Sequence, residues 1–460
     1  MKKMTIINLL FITLLLSCSK SPSVDQGPVP TPVVVHPDQY GTPFTQVPDP
    51  ADAVIYQVNI RAFSNAGNLQ GVTARLDSIK ALGVNVIYLM PVNPVGTTRA
   101  VNSPYCIKDY SSVGPEFGTL ADLRAMVSAA HDRNMAVIMD WVGNHTSWDH
   151  PWITANRSWY KQDATGNIIS PPNTGWNDVA QLNFSNADMR IAMIRAMQSW
   201  VYSANIDGYR CDAADFVPAD FWKQAIDSLH NISTHKLLML AEGTRSDHFT
   251  SGFQLEYGMA FYYNLKNRIF SQGGPVQTID SINNIEYSNA SSQNQVVRYT
   301  SNHDVDLSDG TPAELFGGSD GALSCFLIAA YMKGVPMIYN GQEIGYNVRL
   351  NYFNNTTPIN WTANPTITNV YKAILAFRKN SAAIKTGTLT SISSNDVCAF
   401  VKISGAEKVM VLANLRSNTI NYSVPAAYNN TAWTNAFTGT SVNVGTQVTL
   451  APYQYMVLKN

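Results

Sequence analysis

The chain has 460 residues, of which 45% are hydrophobic and 14% are charged. This length predicts two or three domains, or one large barrel with appendages. The 31 basic residues nearly balance the 32 acidic ones, and no basic patch stands out. The composition therefore gives no electrostatic support for nucleic acid as a partner.

The N-terminus reads MKKMTIINLLFITLLLSCSK, which is typical of an export signal. A lysine pair precedes an apolar run that is too short for a comfortable membrane span, and the run ends in Leu15-Leu16-Ser17-Cys18. This ending resembles a bacterial lipobox, so we expect residues 1–17 to be a signal peptide and Cys18 to carry a lipid. An ordinary signal peptide with an incidental cysteine is the alternative. The expected location is therefore the periplasm or the cell surface, with the lipid anchor as the only contact with a membrane.

Residues 18–50 are rich in proline, which favours an extended chain. We expect this segment to be an unpacked tether between the lipid anchor and a folded body. The four later cysteines lie far apart and show no CxxC spacing, so they predict buried free thiols rather than a disulfide framework or a metal cluster. They are Cys106, Cys211, Cys325 and Cys398.

From about residue 51, short apolar runs rich in β-branched residues alternate with helical patterns such as 119–134 and 186–205. This alternation predicts a parallel sheet covered by helices on both faces, in the α/β class. About eight repeats favour a (β/α)8 TIM barrel over residues 51–380. An open doubly wound sheet is the alternative, although no GxGxxG dinucleotide motif accompanies it. The predicted strands are 53–60, 84–91, 135–142, 207–214, 236–243, 253–258, 296–304 and 335–343.

One connection is abnormally long, because more than forty residues separate Val142, near the end of the third strand, from Asn186, where the next helix begins. A loop of this length is usually functional or a small subdomain, so we predict a loop subdomain at about 143–184. The tryptophans concentrated here suit either sugar stacking or the core of that subdomain. After residue 381 short strands separated by turns predict a C-terminal antiparallel β-sandwich over 381–460.

Polar residues crowd at the C-terminal ends of the predicted strands, which converge on one mouth in a barrel. They are Asp140, Asn144, His145, Arg210, Asp212, Glu242, His303 and Asp304. Any one of them alone is better explained as a helix N-cap or a satisfied structural group. Arg210 and Asp212 also share one face of a buried strand, because side chains alternate along a strand. That placement is costly unless the two residues pair or do chemistry.

Four motifs in this region resemble those of the α-amylase superfamily, glycoside hydrolase family 13. They are DWVGNH (140–145), GYRCDAADF (208–216), LAEG (240–243) and SNHD (301–304). Two further stretches resemble the eighth strand of the family and the return from its loop subdomain, namely GVPMIYNGQE (334–343) and QLNF (181–184). Each motif alone is weak, but their order and spacing together are specific. The resemblance covers about residues 51–460.

The resemblance implies a catalytic role for three carboxyl groups. Asp212 would be the nucleophile, Glu242 the general acid and then the base, and Asp304 the residue that holds the 2- and 3-hydroxyls of the sugar. Glycosidic cleavage through an oxocarbenium-like state needs one protonated and one ionised carboxyl. We expect Arg210 to favour the ionised form of Asp212, because an adjacent positive charge stabilises a carboxylate.

The resemblance also implies a sugar-binding role for Tyr105, His145 and His303. Tyr105 would stack beneath the sugar at the cleavage site, and the two histidines would bind the same ring. The expected partner is therefore an α-glucan or a maltooligosaccharide, and the chemistry itself requires no cofactor.

The sequence departs from the family pattern after the nucleophile. Many members have Lys-His there, whereas residues 213–216 read AADF. The leaving-group subsite must therefore differ from that of a typical endo-α-amylase. The family histidine also often helps to hold a calcium ion. Asn144 matches a family ligand and Asp178 is a second candidate, so a structural calcium remains open.

The leading hypothesis is a retaining hydrolase that cleaves α-1,4-glucosidic bonds. The close alternative is a transglycosylase or isomerase on the same scaffold, because the chemistry is shared up to the glycosyl-enzyme. A non-catalytic glucan-binding barrel is the distant alternative, and the intact set of carboxylates argues against it. An aldolase or phosphate-handling barrel would need a Schiff-base lysine or a glycine-rich phosphate loop, and neither is evident. Endo or exo action and the oligomeric state stay open.

Overall fold

The computed structural model describes residues 36–460. The predicted signal peptide at 1–17, the predicted lipidation of Cys18 and the first part of the 18–50 segment lie outside the described residues. Over the described range, no helix combines the length and the apolar character that crossing a membrane requires.

Eight parallel strands close into a barrel in which each strand pairs with the next and the last pairs with the first. The predicted (β/α)8 fold is therefore confirmed. The strands are β1 Ile55–Val58, β2 Val86–Leu89, β3 Ala136–Val142, β4 Gly208–Asp212, β5 Leu238–Ala241, β6 Leu255–Tyr257, β7 Gln295–Arg298 and β8 Val335–Tyr339. Almost every strand residue is buried, as expected for a parallel sheet covered by helices.

The seventh strand is shorter than the sequence predicted. It ends at Arg298, and a helix begins at His303 within the range predicted as strand. The side chain of Asn302 accepts hydrogen bonds from the backbone amides of Asp304 and Val305, both at 3.0 Å. This N-cap starts a helix where an apolar run alone would have continued the strand.

Helices surround the barrel and occupy its loops. The α-helices are Ile60–Phe63, Leu69–Thr73, Leu76–Ala81, Leu120–His131, Pro151–Ala155, Ala187–Ala204, Ala219–His230, Met259–Tyr263, Thr278–Glu286, His303–Ser308, Pro312–Leu315, Gly318–Tyr331, Pro365–Asn380 and Ala382–Thr386. A π-helix spans Asn264–Ser271. Short 3-10 helices are Pro50–Asp52, Arg157–Trp159, Ala214–Phe216 and Gln342–Ile344.

The long connection after β3 leaves the barrel and returns through a small antiparallel pair of strands, His145–Ser147 with Val179–Gln181. Two of the tryptophans have different surroundings. Trp141 on β3 is buried against Tyr110, with ring centroids 5.0 Å apart, whereas Trp176 lines a cleft at the barrel mouth.

The C-terminal strands form a six-stranded antiparallel sheet, in the order β9-β10-β11-β16-β13-β14, and a two-stranded sheet of β12 and β15. They are β9 Thr388–Ser391, β10 Val397–Ser404, β11 Glu407–Asn414, β12 Ile420–Ser423, β13 Thr431–Asn435, β14 Ser441–Val444, β15 Gln447–Leu450 and β16 Tyr455–Lys459. Both sheets contribute apolar side chains to one core, including Leu412, Tyr422 and Leu450. The second layer that defines a sandwich is therefore present.

The expectation of an unpacked chain through residue 50 is wrong for residues 36–50. The ring of His36 stacks on Tyr202 with centroids 3.9 Å apart, and Phe44 stacks on His131 at 4.4 Å. The prolines keep this segment free of regular structure. Its aromatic side chains nevertheless bury apolar surface against the barrel helices, and this burial holds the segment in place. The proline content of the segment does not indicate these contacts.

All four cysteines at 36–460 are buried and free, as the spacing predicted. Burial raises the pKa of the Cys106 thiol to about 12. Thiols in such surroundings are mainly in the unreactive protonated form.

Lys402 on β10 joins the C-terminal sheet to the barrel. Its ammonium donates hydrogen bonds to the carbonyl oxygens of Ile384 at 2.5 Å and Tyr331 at 3.4 Å. Its side chain is 3% exposed, and burial lowers the pKa of its amine to about 7. The ordinary pKa is 10.5, so the unfolded chain binds the proton more tightly than the folded one.

We expect Lys402→Met to stabilise the protein more at pH 6 than at pH 9. The charged amine destabilises the fold fully below about pH 7, and this cost disappears as the pH rises toward 10.5. The advantage of the variant should shrink by on the order of 1–3 kcal/mol between the two pH values. Urea unfolding at each pH measures it, with exposed Lys408→Met as the control. An equal effect at both pH values would contradict the burial cost.

Candidate active site

A cleft of about 480 Å³ lies at the carboxyl ends of the barrel strands. Six of the residues that the sequence singled out line it: Tyr105, His145, Asp212, Glu242, His303 and Asp304. Arg210 lies beneath them and is fully buried. The mouth of the barrel therefore brings together every candidate catalytic and sugar-binding residue.

Arg210 is the centre of an ion-pair cluster. Its Nη1 is 2.7 Å from Oδ1 of Asp140 and 3.0 Å from Oδ1 of Asp212. Its Nη2 pairs with Oε1 of Glu242. One guanidinium thus forms ion pairs with three carboxylates, and its Nη1 donates hydrogen bonds to Asp140 and Asp212.

The register of β3 and β4 creates this cluster. Asp140 lies opposite Arg210, and Val142 lies opposite Asp212. Arg210 and Asp212 share one face of β4, as predicted, and Asp140 reaches them from the adjacent strand. Glu242 follows the end of β5, and its Oε2 also accepts a hydrogen bond from the backbone amide of Ala213 at 2.8 Å.

Asp140 has a structural role that the sequence did not assign. Its Oδ2 accepts hydrogen bonds from the hydroxyls of Tyr88 at 2.7 Å and Tyr105 at 2.9 Å, while its Oδ1 binds Arg210. The residue therefore anchors both the guanidinium and a tyrosine that lines the cleft. Its position as the first residue of the DWVGNH motif was the available signal.

Burial outweighs Arg210 in setting the pKa of Asp212, contrary to expectation. Burial raises the pKa of Asp212 well above its ordinary value of 3.8, and the negative charges of Glu242 and Asp140 add to this, while Arg210 opposes it. Burial likewise raises the pKa of Asp140 to about 6 against the opposing effect of Arg210. The guanidinium of Arg210 does not offset the desolvation of these two carboxyl groups.

His303 and Tyr105 form the floor of the cleft. Nε2 of His303 lies 2.7 Å from the hydroxyl of Tyr105, and Nδ1 lies 2.7 Å from Nε2 of Gln57. Burial, with Arg210 nearby, lowers the pKa of His303 to about 3, and burial lowers that of His145 to about 4. Both imidazoles are therefore neutral near pH 7, and they bring no charge to a ligand in the cleft.

Asp304 lies in the first turn of the helix after β7, and its side chain is 48% exposed. Its Oδ1 accepts a hydrogen bond from the hydroxyl of Tyr352 at 3.3 Å and lies 3.3 Å from Nε2 of His303. Tyr352 is not among the residues that the sequence predicts for the site. It lies in an irregular loop after β8, and no pattern in the chain connects it with the fourth motif.

An aromatic wall borders the cleft. The ring of Trp176 lies 5.4 Å from that of Phe216 and 5.5 Å from that of His145. Phe216 is 50% exposed, which folding alone does not explain. Apolar ring faces at the rim of a polar cleft suit the C–H faces of a sugar.

The donors expected for calcium are only partly in place. Oδ1 of Asn144 is buried without a hydrogen-bond partner, which fits a cation ligand. The other candidate ligand, Asp178, lines the cleft. Nowhere between residues 36 and 460 do three or more His, Cys, Asp or Glu side chains form a group that could hold a metal ion. Calcium takes about six to eight oxygen ligands, so the side chains supply too few by themselves. Calcium binding stays a prediction.

Comparison with known proteins gives two family matches. The model of the α-amylase catalytic domain matches residues 57–177 and 173–369. The model of the maltogenic amylase C-terminal domain matches residues 388–457. The two matches coincide with the barrel and with the C-terminal sheets.

Individual relatives match the chain at low to moderate sequence identity. The chain is 24% identical over 444 residues to Alpha-amylase 3 of Dictyoglomus thermophilum, with 81% of this chain and 87% of that protein covered. It is 30% identical over 312 residues to the trehalose synthase/amylase TreS of Mycobacterium tuberculosis, with 54% and 51% covered.

Solved structures share the fold. The α-amylase from Lactobacillus plantarum superposes with a TM-score of 0.78 at 24% identity, and the maltogenic α-amylase AmyB from Thermotoga neapolitana with 0.79 at 23%. Each match covers 89% of this chain and 99% of the other. The α-amylase from Geobacillus thermoleovorans, solved with acarbose, has a TM-score of 0.77 at 22% identity, with 90% and 99% covered.

The catalytic-domain model matches well over half of the chain, and the barrel carries its carboxylates at the mouth where this fold places its active sites. The protein therefore belongs to the α-amylase family, glycoside hydrolase family 13, and is a glycoside hydrolase.

Proposed function

We propose that the protein is a retaining hydrolase that cleaves α-1,4-glucosidic bonds of starch-like glucans or maltooligosaccharides through a covalent glycosyl-enzyme. The observation that carries this proposal is the pairing of Asp212 and Glu242 with two nitrogens of one guanidinium, that of Arg210. A retaining mechanism needs its two carboxyl groups about 5–5.5 Å apart, and a shared guanidinium keeps two carboxyl groups close together.

In this proposal a carboxylate oxygen of Asp212 attacks the anomeric carbon, and the glycosidic C–O bond breaks. Glu242 gives a proton to the departing oxygen. It then takes a proton from the water that cleaves the Asp212–sugar ester, so the enzyme returns to its starting state. Asp304 binds sugar hydroxyls on the other side of the cleft.

The charge of the cluster favours retention of a proton among its carboxyl groups. Asp140, Asp212 and Glu242 would give three negative charges around the single positive charge of Arg210, a net charge of −2. A buried cluster with that imbalance retains a proton at higher pH than isolated carboxyls do, because like charges disfavour the ionised form.

The lining of the cleft supports a sugar substrate. Tyr105 offers a ring face on the floor, His145 and His303 offer neutral hydrogen-bonding groups, and Trp176 offers an apolar edge. Two of the relatives described above carry amylase in their names, and a neighbour of the same fold was solved in complex with acarbose. These similarities support a glucan or an oligosaccharide as the substrate.

A transglycosylase or isomerase is the second candidate, because the leaving-group side of the cleft is apolar. Phe216 and Met259 line it, and the Lys-His pair that many family members place after the nucleophile is absent from residues 213–216. Such a lining disfavours bulk water and favours a second sugar as the acceptor. The similarity to a trehalose synthase/amylase agrees with this possibility.

Product analysis separates the two candidates. The purified protein should release shorter maltooligosaccharides from amylose and maltotriose over time, measured by chromatography. Proton NMR of the first product should show the α configuration, because two inversions give net retention. Trehalose or longer oligomers formed from maltose would favour the transferase, and a first product in the β configuration would contradict the retaining mechanism.

Substitution of the two catalytic carboxyls should abolish activity without unfolding the chain. We expect Asp212→Asn to lower kcat on amylose by on the order of 10³-fold or more, because an amide does not attack the anomeric carbon. Glu242→Gln should lower it by roughly 10²–10⁴-fold, the usual contribution of a general acid. Exposed Asp77→Asn is the matched control. Binding and processing at wild-type levels in Asp212→Asn would favour a non-catalytic glucan-binding barrel.

The pH dependence should report the raised pKa of Asp212. The nucleophile must be ionised, so kcat/KM should fall as the pH drops through a value above the ordinary 3.8. In Asp140→Asn one negative charge that raises this pKa is gone, and the acidic limb should move to lower pH. The measurement is kcat/KM between pH 4 and 8, with Asp77→Asn again as the control. A limb that stays in place or moves upward would refute this electrostatic account.

A further inference from the structure

Asp215 stands in the segment that departs from the family pattern, and its carboxylate binds the loop that follows Glu242. Oδ1 accepts hydrogen bonds from Nε2 of His248 at 2.7 Å and from the backbone amide of Arg245 at 3.1 Å. Oδ2 accepts from the backbone amide of Thr244 at 3.0 Å and from its hydroxyl at 3.3 Å. One carboxylate thus gathers donors from three residues of this loop.

The bonds of Asp215 continue a series that begins at Glu242 itself. The amide of Ala213 donates to Oε2 of Glu242 at 2.8 Å, and the amide of Ala214 donates to its carbonyl oxygen at 2.9 Å. In return, Nη1 of Arg245 donates to the carbonyl oxygen of Asp215 at 2.8 Å. Hydrogen bonds therefore connect the segment that follows Asp212 with Glu242 and with the loop that follows Glu242.

This join between the segment after Asp212 and the loop after Glu242 leaves no free space at Gly243. A Cβ added to Gly243 would overlap Oδ1 of Asp215 and Nε2 of His248. Ala213 adopts a left-handed backbone with a φ of 44°, which a non-glycine residue holds only when its surroundings fix it. Both features indicate that the segment after Asp212 and the loop after Glu242 are held in fixed positions.

The charge of Asp215 strengthens the join. Burial favours the neutral carboxyl, but the hydrogen bonds from His248, Thr244 and Arg245 outweigh it and lower the pKa of Asp215 below its ordinary value. The carboxylate stays ionised, and its hydrogen bonds are charge-assisted, which makes them stronger than neutral ones.

We propose that Asp215 is a positioning residue for Glu242: its carboxylate fixes the loop of residues 243–248 against the segment that follows Asp212, and so holds the Glu242 carboxyl where it exchanges its proton with the glycosidic oxygen. This inference rests on the proposed function. Asp215 also lines the cleft, so a direct contact with the leaving-group sugar is the competing explanation. The experiment must separate the two.

A series of aryl α-maltosides separates them, because the phenol that leaves can be varied in acidity while its ring occupies the same place. Acidic nitrophenols depart with little proton donation, whereas unsubstituted phenol needs a well-placed general acid. For each substrate kcat/KM reports formation of the glycosyl-enzyme. The dependence of kcat/KM on leaving-group acidity therefore measures how well Glu242 acts as an acid.

In Asp215→Ala, we expect kcat/KM for phenyl α-maltoside to fall by on the order of 10²-fold, the effect of a small misplacement of a catalytic group. The loss with the most acidic nitrophenol should stay below about threefold, since that leaving group does not need the proton. The dependence on leaving-group acidity then becomes steeper. An equal loss across the series would overturn the proposal in favour of a direct sugar contact or a purely structural role.

Two further variants keep the proposal testable if Asp215→Ala does not fold. Asp215→Asn retains the size and one acceptor oxygen, so it should show the same change in slope with a smaller loss of about tenfold. Gly243→Ala displaces the carboxylate from outside and should steepen the slope as well. Unchanged slopes in both variants would overturn the proposal.

Controls distinguish failure of this inference from failure of the proposed function. Asp220→Ala removes an exposed aspartate that pairs with Arg190 at 2.9 Å, away from the cleft, and should leave the slope unchanged. Wild-type protein that cleaves none of the maltosides would refute the proposed function itself. Wild-type activity with an unchanged slope in Asp215→Ala would refute only the role of Asp215.

Discussion

The buried guanidinium of Arg210 is the interaction on which the whole site depends. It is 0% exposed, it contacts Asp140, Asp212 and Glu242, and tyrosine rings surround it with centroids 5.5 to 5.8 Å away. A buried arginine without acidic partners would destabilise the barrel, and buried carboxylates without the arginine would do the same. The cluster therefore persists only as a unit, which fixes the geometry of its members before any substrate binds.

The barrel supplies the rigid frame for this unit. Adjacent parallel strands place residues of equal depth side by side, so Asp140 on β3 meets Arg210 on β4 without any help from a loop. Glu242 and Asp304 lie just beyond their strands, where backbone amides and helix caps can direct them. The parts that must not move are on strands, and the parts that shape the cleft are on loops.

Sequence reasoning predicted the strands and the carboxylates because both depend on local patterns. Apolar runs of strand length alternate with helical periods, and the acidic residues follow directly after those runs. Tyr352 and the packing of residues 36–50 were not predictable in this way, since each depends on contacts between segments far apart in the chain. The raised pKa of Asp212 was not predicted, for a related reason. The sequence shows that Arg210 and Asp212 are close together in the chain, but the extent of their burial is known only from the folded structure.

The departure at residues 213–216 acquires a physical meaning in this setting. A lysine and histidine after the nucleophile would provide polar groups directed at a neighbouring sugar, whereas AADF provides a small side chain, a carboxylate bonded to the next loop and an exposed aromatic ring. The carboxylate of Asp215 is satisfied by protein donors, so it is poorly available to a ligand, and the exposed ring of Phe216 is the group left to face one. Recognition on this side of the cleft therefore depends on apolar contact and shape more than on hydrogen bonds. Such contacts tolerate different acceptors, because a hydrophobic surface discriminates weakly between ligands that differ by a hydroxyl. In the proposed mechanism, water and a second sugar would therefore compete at this site by access rather than through a dedicated polar partner.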